Sequence, residues 1–338
     1  MENLHITNGQ LAQWLDDMRR DGLRIFAPVA QEGKTDFKFL AEGDTVAGDY
    51  VQTAQSAKRI VLPMAEVLFS YRKHGKDVEV ANPGTDRFND TIIWKARPCD
   101  ARAMRQVAEV FTRDYDDAIF EARRSHTTIV AFSCNTCDDC CFCTSVGGSP
   151  GGTEGSDILV TTLTDGGGAL VEVLTPKGEG LAAKYLAGAA RADGIDKQAH
   201  LADVRVLFSA DEVRAKLDGA FDSPVWQEQS ERCLGCGACA FVCPVCTCFD
   251  IQEDAHGARG RRIRCWDSCG FSMFTQHTSG HNPRPTQAAR WRQRILHKFS
   301  YIPEKLGEAG CTGCGRCSRA CPVDMNISEH LKAIAGHE

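Results

Sequence analysis

The sequence predicts an α+β protein: an N-terminal mixed α/β domain over residues 1–225, then a mainly α, cysteine-rich domain over residues 226–338. Three observations predict it. The length, 338 residues, corresponds to two domains at about 100–200 residues each. The 18 cysteines are grouped: none in 1–98, six from Cys99 to Cys143, none in 144–232, twelve from Cys233 to Cys321. Strand and helix signals alternate in the first part, and the second shows few strand signals.

In the first part, Thr7-x-x-Gln10 reads as a capping box. Leu11, Trp14, Leu15 and Met18 follow at helical spacing, and Gly22 suits a C-terminal cap. Leu23–Val29 and Asp36–Ala41 read as strands joined by a turn at Gly33. Asp90–Ala96 and Thr127–Ser133 are β-rich, with a helical stretch over 100–125 between them. That β-α-β order predicts a partly parallel sheet. Ile158–Leu163 and Ala169–Leu174 flank Asp165-Gly166-Gly167-Gly168, a hairpin signal. Lys177–Gly188 reads as a helix. The boundary falls near 218–232, where Asp218-Gly219 and Asp222-Ser223-Pro224 interrupt the pattern. In the second part, Gln287–Phe299 and Ser328–Ala335 read as helices among Cys-rich loops.

Apolar residues make up 43% and charged residues 25% of the chain, which excludes disorder, collagen and coiled coil as the main state. The net charge of −6 argues against nucleic-acid binding through a global basic charge. No stretch approaches the ~20 apolar residues of a membrane span. Residues Met1 to Gln10 lack a basic-then-apolar export pattern. The expected address is therefore the cytoplasm, where clustered thiols read as metal or redox sites rather than disulfides.

Two runs carry the strongest chemistry. Cys233-x-x-Cys236-x-x-Cys239-x-x-x-Cys243-Pro244 and Cys311-x-x-Cys314-x-x-Cys317-x-x-x-Cys321-Pro322 both follow the bacterial ferredoxin pattern. Two-residue gaps let one loop present three thiolates to three corners of a cube, and the fourth Cys turns toward the other cluster. The expected quartets for two [4Fe–4S] clusters are Cys233, Cys236, Cys239 and Cys321, and Cys311, Cys314, Cys317 and Cys243. Zinc sites use ligands in pairs, not three plus one before a proline. This makes the second domain ferredoxin-like, with 67 residues between Cys243 and Cys311.

Ten cysteines remain. Cys246 and Cys248, with Cys265 and Cys269, read as a further site or as buried free thiols. Cys99 and the array Cys134, Cys137, Cys140, Cys141 and Cys143 exceed what packing requires, and fit zinc, a cubane or a catalytic dithiol. Gly147–Gly152 follows at once, a loop able to cradle phosphate or to wrap a cluster. No dinucleotide or P-loop fingerprint occurs. Residues 255–300 hold nine Lys or Arg (259, 261, 262, 264, 284, 290, 292, 294 and 298) against Asp267. This excess suits tuning of anionic clusters or docking to an acidic partner. His277, His281 and His297 read as ordinary core or surface residues.

A resemblance rests on Pro98-Cys99-Asp100, Cys134, Cys141-Phe142-Cys143-Thr144-Ser145, Cys243-Pro244-x-Cys246-Thr247-Cys248, Trp266-Asp267-Ser268-Cys269, His297-Lys298 and both ferredoxin runs. Over nearly its whole length the chain resembles the iron–sulfur electron-transfer family that includes sulfhydrogenase β subunits and the iron–sulfur subunit of anaerobic sulfite reductase. Cys137, Cys140 and Cys265 fall outside that pattern. The resemblance implies a third cluster on Cys99, Cys134, Cys141 and Cys143. It leaves Cys246, Cys248 and Cys269 one ligand short of a fourth, unless Cys265 or a non-Cys group completes it.

It further implies a non-catalytic electron-transfer subunit of a multi-subunit oxidoreductase. Its partners would be a FAD/NAD(P)H-binding, diaphorase-type subunit, together with a catalytic subunit of hydrogenase, sulfite reductase or heterodisulfide-reductase type. The logic has a physical side: a flavin splits a hydride into single electrons, which clusters carry one at a time. Two other readings stand beside it. One is a redox enzyme with its own thiol or cluster site around Cys134–Cys143. The other is an iron–sulfur sensor, for which no effector or DNA-binding module is visible.

Overall fold

The computed structural model describes residues 3–48 and 50–336. Its elements run in chain order as β1 (Asn3–Ile6), α1 (Asn8–Arg20), β2 (Arg24–Gln31), β3 (Lys34–Phe39), β4 (Ala65–His74), β5 (Asp77–Ala81), β6 (Thr91–Ala96), α2 (Pro98–Thr112) and α3 (Ala118–Ser125). There follow β7 (Thr127–Phe132), β8 (Ile158–Thr162), β9 (Ala169–Val173), α4 (Pro176–Tyr185), β10 (Ala190–Arg191), α5 (Ala210–Leu217), α6 (Val225–Ser230) and α7 (Ala238–Phe241). The last are β11 (Phe249–His256), β12 (Arg259–Trp266), α8 (Gln287–Leu296), α9 (Ile302–Leu306), α10 (Arg316–Arg319) and α11 (Ile327–Ala335).

The capping box forms as read: Thr7 accepts from the Gln10 N–H, and the Gln10 side chain accepts from the Thr7 N–H at 2.8 Å. The eight-stranded sheet has the order β10-β1-β9-β8-β7-β6-β2-β3. Its centre, β2, β6, β7 and β8, is parallel, and the β8–β9 hairpin is antiparallel. Near-continuous burial of β6 and β7 suits strands covered on both faces. Trp14 and Met18 of α1 and Ala182 of α4 pack on one face, with Trp14 edge-on to Trp94 at 4.8 Å. Met104, Val107 and Phe111 of α2 and Phe120 of α3 cover the other. Each such fully buried large side chain contributes about 1.5–3 kcal/mol.

The stretch 100–125 is two helices, α2 and α3, rather than one. A larger difference lies at 249–266, where the sequence shows few strand signals. There β11 and β12 form a hairpin that joins β4 and β5 in a four-stranded antiparallel sheet, order β11-β12-β4-β5. Every β11 residue is exposed, so no apolar face forces an alternating pattern into the sequence. The pairing of β12 with β4 joins chain segments from before and after residue 225.

A third apolar cluster gathers Trp226, Trp291, Ile295, Leu296, Phe299 and Leu331 with Phe142 and Val146 of the first cysteine loop. That cluster packs Cys311 and the C-terminal helices against the first cysteine loop. Among the described residues, no helix is long and apolar enough to cross a membrane.

Candidate metal centre

Parallel strands deliver functional groups at their carboxyl ends. β6 ends at Ala96, and Cys99 follows in the first turn of α2, where Pro98 costs no hydrogen bond. The neighbouring β7 ends at Phe132, just before Cys134. Cys99 and Cys134 therefore both follow the carboxyl ends of two neighbouring parallel strands. A register shift in β6 between Trp94 and Ala96, with Lys95 at φ +63°, re-aims the strand just ahead of it.

Cys99, Cys134, Cys141 and Cys143 line one small cavity of about 30 Å³, together with Cys137 and Cys314. Gln52 donates to the Cys99 sulfur at 3.2 Å. Cys137 donates to the Asp203 carbonyl at 3.4 Å. Ser149 and Pro150 of the glycine-rich loop close the cavity, so this loop wraps the thiols. Its glycines also line a larger, open cavity of about 350 Å³ shared with Cys99, Cys143, Arg102, Lys197 and Thr312.

Cys233, Cys236, Cys239 and Cys321 line a second small cavity, about 40 Å³, with Cys317 at its rim. Cys236 and Leu234 are exposed there, so this set lies at the surface. The thiols of Cys311, Cys314 and Cys317 each interact electrostatically with Cys243 across the 67 intervening residues. Cys311, Cys314 and Cys243 are buried.

Cys248 and Cys269 are hydrogen-bonded to each other, and Cys246 to Cys243. Cys265 is held in β12, opposite Ala65 and Asp250. Among the described residues, no three His, Cys, Asp or Glu side chains converge as ligands of a single ion. The thiols stand around spaces instead, as a cage that presents iron at several corners requires.

Glycines set the spacing of the loops. Gly313 (φ +63°) lies so close to the first cysteine loop that a Cβ would sit 2.5 Å from the Cys143 nitrogen. Gly315 (φ +68°) meets the Cys140 carbonyl in the same way. A buried ion pair locks this contact: Arg316 donates to Asp100 of α2 at 2.8 Å. Arg319 reaches Asp138 at 2.9 Å and the Cys141 sulfur at 3.3 Å.

One helix face serves the other end. In α8 and the wide turn His297–Tyr301 that continues it, Gln287 donates to the Cys233 sulfur at 3.0 Å. Arg294 reaches the Cys246 sulfur at 3.7 Å, and Lys298 the Cys243 sulfur at 3.4 Å. Of the basic excess read in 255–300, Arg264, Arg294 and Lys298 are buried, whereas Arg261 and Arg262 pair with Asp254 and Glu253 on the exposed hairpin. The rings of His277 and His281 contact each other, and His297 lines an open groove.

Burial pushes the thiols up: Cys134 and Cys311 to about 11, Cys143 and Cys317 to about 12, and Cys99 well above its ordinary range. Such thiols stay protonated at neutral pH until a metal displaces the proton. Cys243 and Cys269 are the exceptions: hydrogen bonds from Cys246 and Cys248 bring them down, Cys269 to about 6, and Cys246 and Cys248 keep the protons. Gln52, Lys58, Asp100 and Arg316 were not singled out as polar supports in the sequence. Only the spacing of 287, 294 and 298 on one helical face hints at such a set.

The donor set fits iron–sulfur clusters: groups of five and six thiols line small spaces larger than one water. The fold and the thiol sets define an iron–sulfur protein, and residues 232–325 match the family described as 4Fe-4S dicluster domain, which implies two [4Fe–4S] clusters. Sulfhydrogenase 2 subunit beta of Pyrococcus furiosus is 30% identical over 326 residues, covering 92% of this chain and 91% of that protein. The chain belongs to the sulfhydrogenase β-subunit family of iron–sulfur proteins. No solved structure matches it.

Proposed function

We propose that this chain is the electron-transfer subunit of a multi-subunit cytoplasmic oxidoreductase, relaying single electrons between a FAD/NAD(P)H-binding partner and a catalytic subunit. That the relative is a sulfhydrogenase subunit supports assembly with other subunits and a hydrogenase as one form of the catalytic partner. The observation that carries the reading is the contiguity of the thiol sets. Cys314 is a wall of the cavity lined by Cys99, Cys134, Cys141 and Cys143, and Cys317 borders the one lined by Cys233, Cys236 and Cys239.

In this reading Cys233, Cys236, Cys239 and Cys321 hold one cluster, and Cys243, Cys311, Cys314 and Cys317 the next. Cys99, Cys134, Cys141 and Cys143 hold a third. Cys246, Cys248 and Cys269 contribute to a fourth site. When bound, the clusters supply one-electron chemistry. The protein's own part is to fix their order, exclude water from the inner ones and leave one end, at Cys236, near the surface. We keep 1–225 and 226–338 as the two functional halves, the first carrying the third cluster and the second the ferredoxin pair.

A second reading has one observation of its own. The open cavity of about 350 Å³ touches Cys99 and Cys143, which would let a small molecule reach an N-terminal cluster directly. Anaerobic iron and sulfide analysis of the reconstituted chain tests the number of clusters. Iron beyond two clusters supports the longer relay, and iron for only two removes the N-terminal and fourth sites.

A further inference from the structure

Three cations are buried around the Cys239–Cys246 loop without an acidic partner. Lys58, Arg294 and Lys298 are 2%, 4% and 4% exposed. Two other buried guanidinium groups are neutralised: Arg264 pairs with Glu66 at 2.5 Å and Arg316 with Asp100 at 2.8 Å. Among the described residues, the three cations have no Asp or Glu within ion-pair distance. They meet the cysteine loop instead. Lys58 donates to the Cys246 carbonyl at 2.6 Å and lies 3.9 Å over the Trp266 ring. Arg294 donates to the Cys239 carbonyl at 3.0 Å and reaches the Cys246 sulfur at 3.7 Å. Lys298 spans the Cys243 sulfur at 3.4 Å and the Gly310 carbonyl at 2.8 Å, just before Cys311.

A buried charge with no counter-charge is strongly unfavourable, so a stable fold needs anions at these positions. The neighbouring groups able to supply them are thiolates. Lys58 comes from the first half of the chain and Arg294 and Lys298 from the second, so the charge set forms only when the two halves pack. The expected basic excess of 255–300 is thus split: part of it is solvated, and a small part is aimed inward.

We infer that Lys58, Arg294 and Lys298 are positioning residues whose fixed positive charge raises the reduction potential of the cluster held through Cys243. The inference rests on the proposed quartet of Cys243, Cys311, Cys314 and Cys317. The physical basis is direct. A reduced cluster carries one more negative charge than an oxidised one, and a fixed cation nearby favours the reduced form. A purely structural role, satisfying the Cys239, Cys246 and Gly310 carbonyls, would affect loading but would not shift a potential according to charge.

The test is a potentiometric titration with dithionite, followed by electron paramagnetic resonance, on the reconstituted full chain. Lys298→Met, Lys298→Arg and Lys58→Met are compared with wild type. Wild-type iron for at least two clusters, and the loss of one of them in Cys243→Ser, check the underlying quartet separately from the midpoints. The expected result is a fall in one midpoint for Lys298→Met, about tenfold in the reduction equilibrium or ~59 mV for one electron. Lys298→Arg keeps the wild-type midpoint, and Lys58→Met gives a smaller fall of the same sign. If Lys298→Met loses iron, Lys58→Met decides, because Lys58 touches a carbonyl and a ring but no sulfur. Midpoints unchanged in every iron-loaded neutral variant would overturn the inference.

Discussion

The Phe142 N–H donates to the Gly313 carbonyl at 2.9 Å, fastening the first cysteine loop to the last across 171 positions of sequence. Around that bond the backbones are too close for any side chain on Gly313. Gly313→Ala should therefore push the loops apart. The left-handed backbone and the clash together should cost at least about 2 kcal/mol in denaturant unfolding. Gly22→Ala is the control. Its φ is +73° but nothing lies within 4 Å, so only the backbone cost of about 1 kcal/mol is expected. Equal losses in the two variants would mean the loop contact is not tight.

Cys99→Ser addresses the N-terminal site. Cys99 shares a cavity with Cys134, Cys141 and Cys143, apart from the surface set around Cys236. The variant should lose one cluster signal and its iron while the ferredoxin pair survives. An unchanged spectrum and iron content would make Cys99 a buried thiol only.

Asp100→Asn leaves the Arg316 guanidinium buried without its counter-charge. Breaking a buried pair from one side costs about 3–5 kcal/mol. Thermal unfolding of the variant should show a loss of that order. The double variant with Arg316→Met should recover part of it. A surface-like loss below about 1 kcal/mol would contradict the burial of the pair.

Thiol chemistry gives the pH dependence. In the cluster-free chain, Cys134, Cys143, Cys311 and Cys317 are raised from 9.0 to about 11–12 by burial. As pH rises past 9 the unfolded chain loses these protons first, so their contribution to stability is complete below pH 9 and disappears by about pH 11–12. Cys269, brought down by its bond from Cys248, carries charge at neutral pH. Alkylation at pH 7 with mass-spectrometric readout should label Cys269 ahead of these four. Labelling of Cys311 or Cys317 first would contradict the assignment.

Most of the large sheet is legible in the sequence because its strands are buried on both faces or flank glycine turns. β6, β7 and the β8–β9 hairpin lie where the patterns put them. The sheet of β4, β5, β11 and β12 is not legible. Its strands are mostly exposed, and charges such as Glu253 and Arg262 occupy positions where apolar alternation would have marked them. The two ferredoxin runs are legible from local spacing, since each is one short segment. The supports Gln52 and Lys58 are not, because each reaches its cysteine loop from a distant part of the chain, and the partners of Arg316, itself in the last cysteine loop, are equally distant at Gln52, Thr53 and Asp100.

The central claim is one-electron relay that depends on a separate flavoprotein. It is tested most directly by following the visible spectrum of the reconstituted, flavin-free chain under anaerobic conditions. Dithionite should bleach the clusters, and NADH or NADPH should leave them oxidised until a FAD-containing partner protein is added. Rapid reduction of the pure chain by NADH would contradict the account.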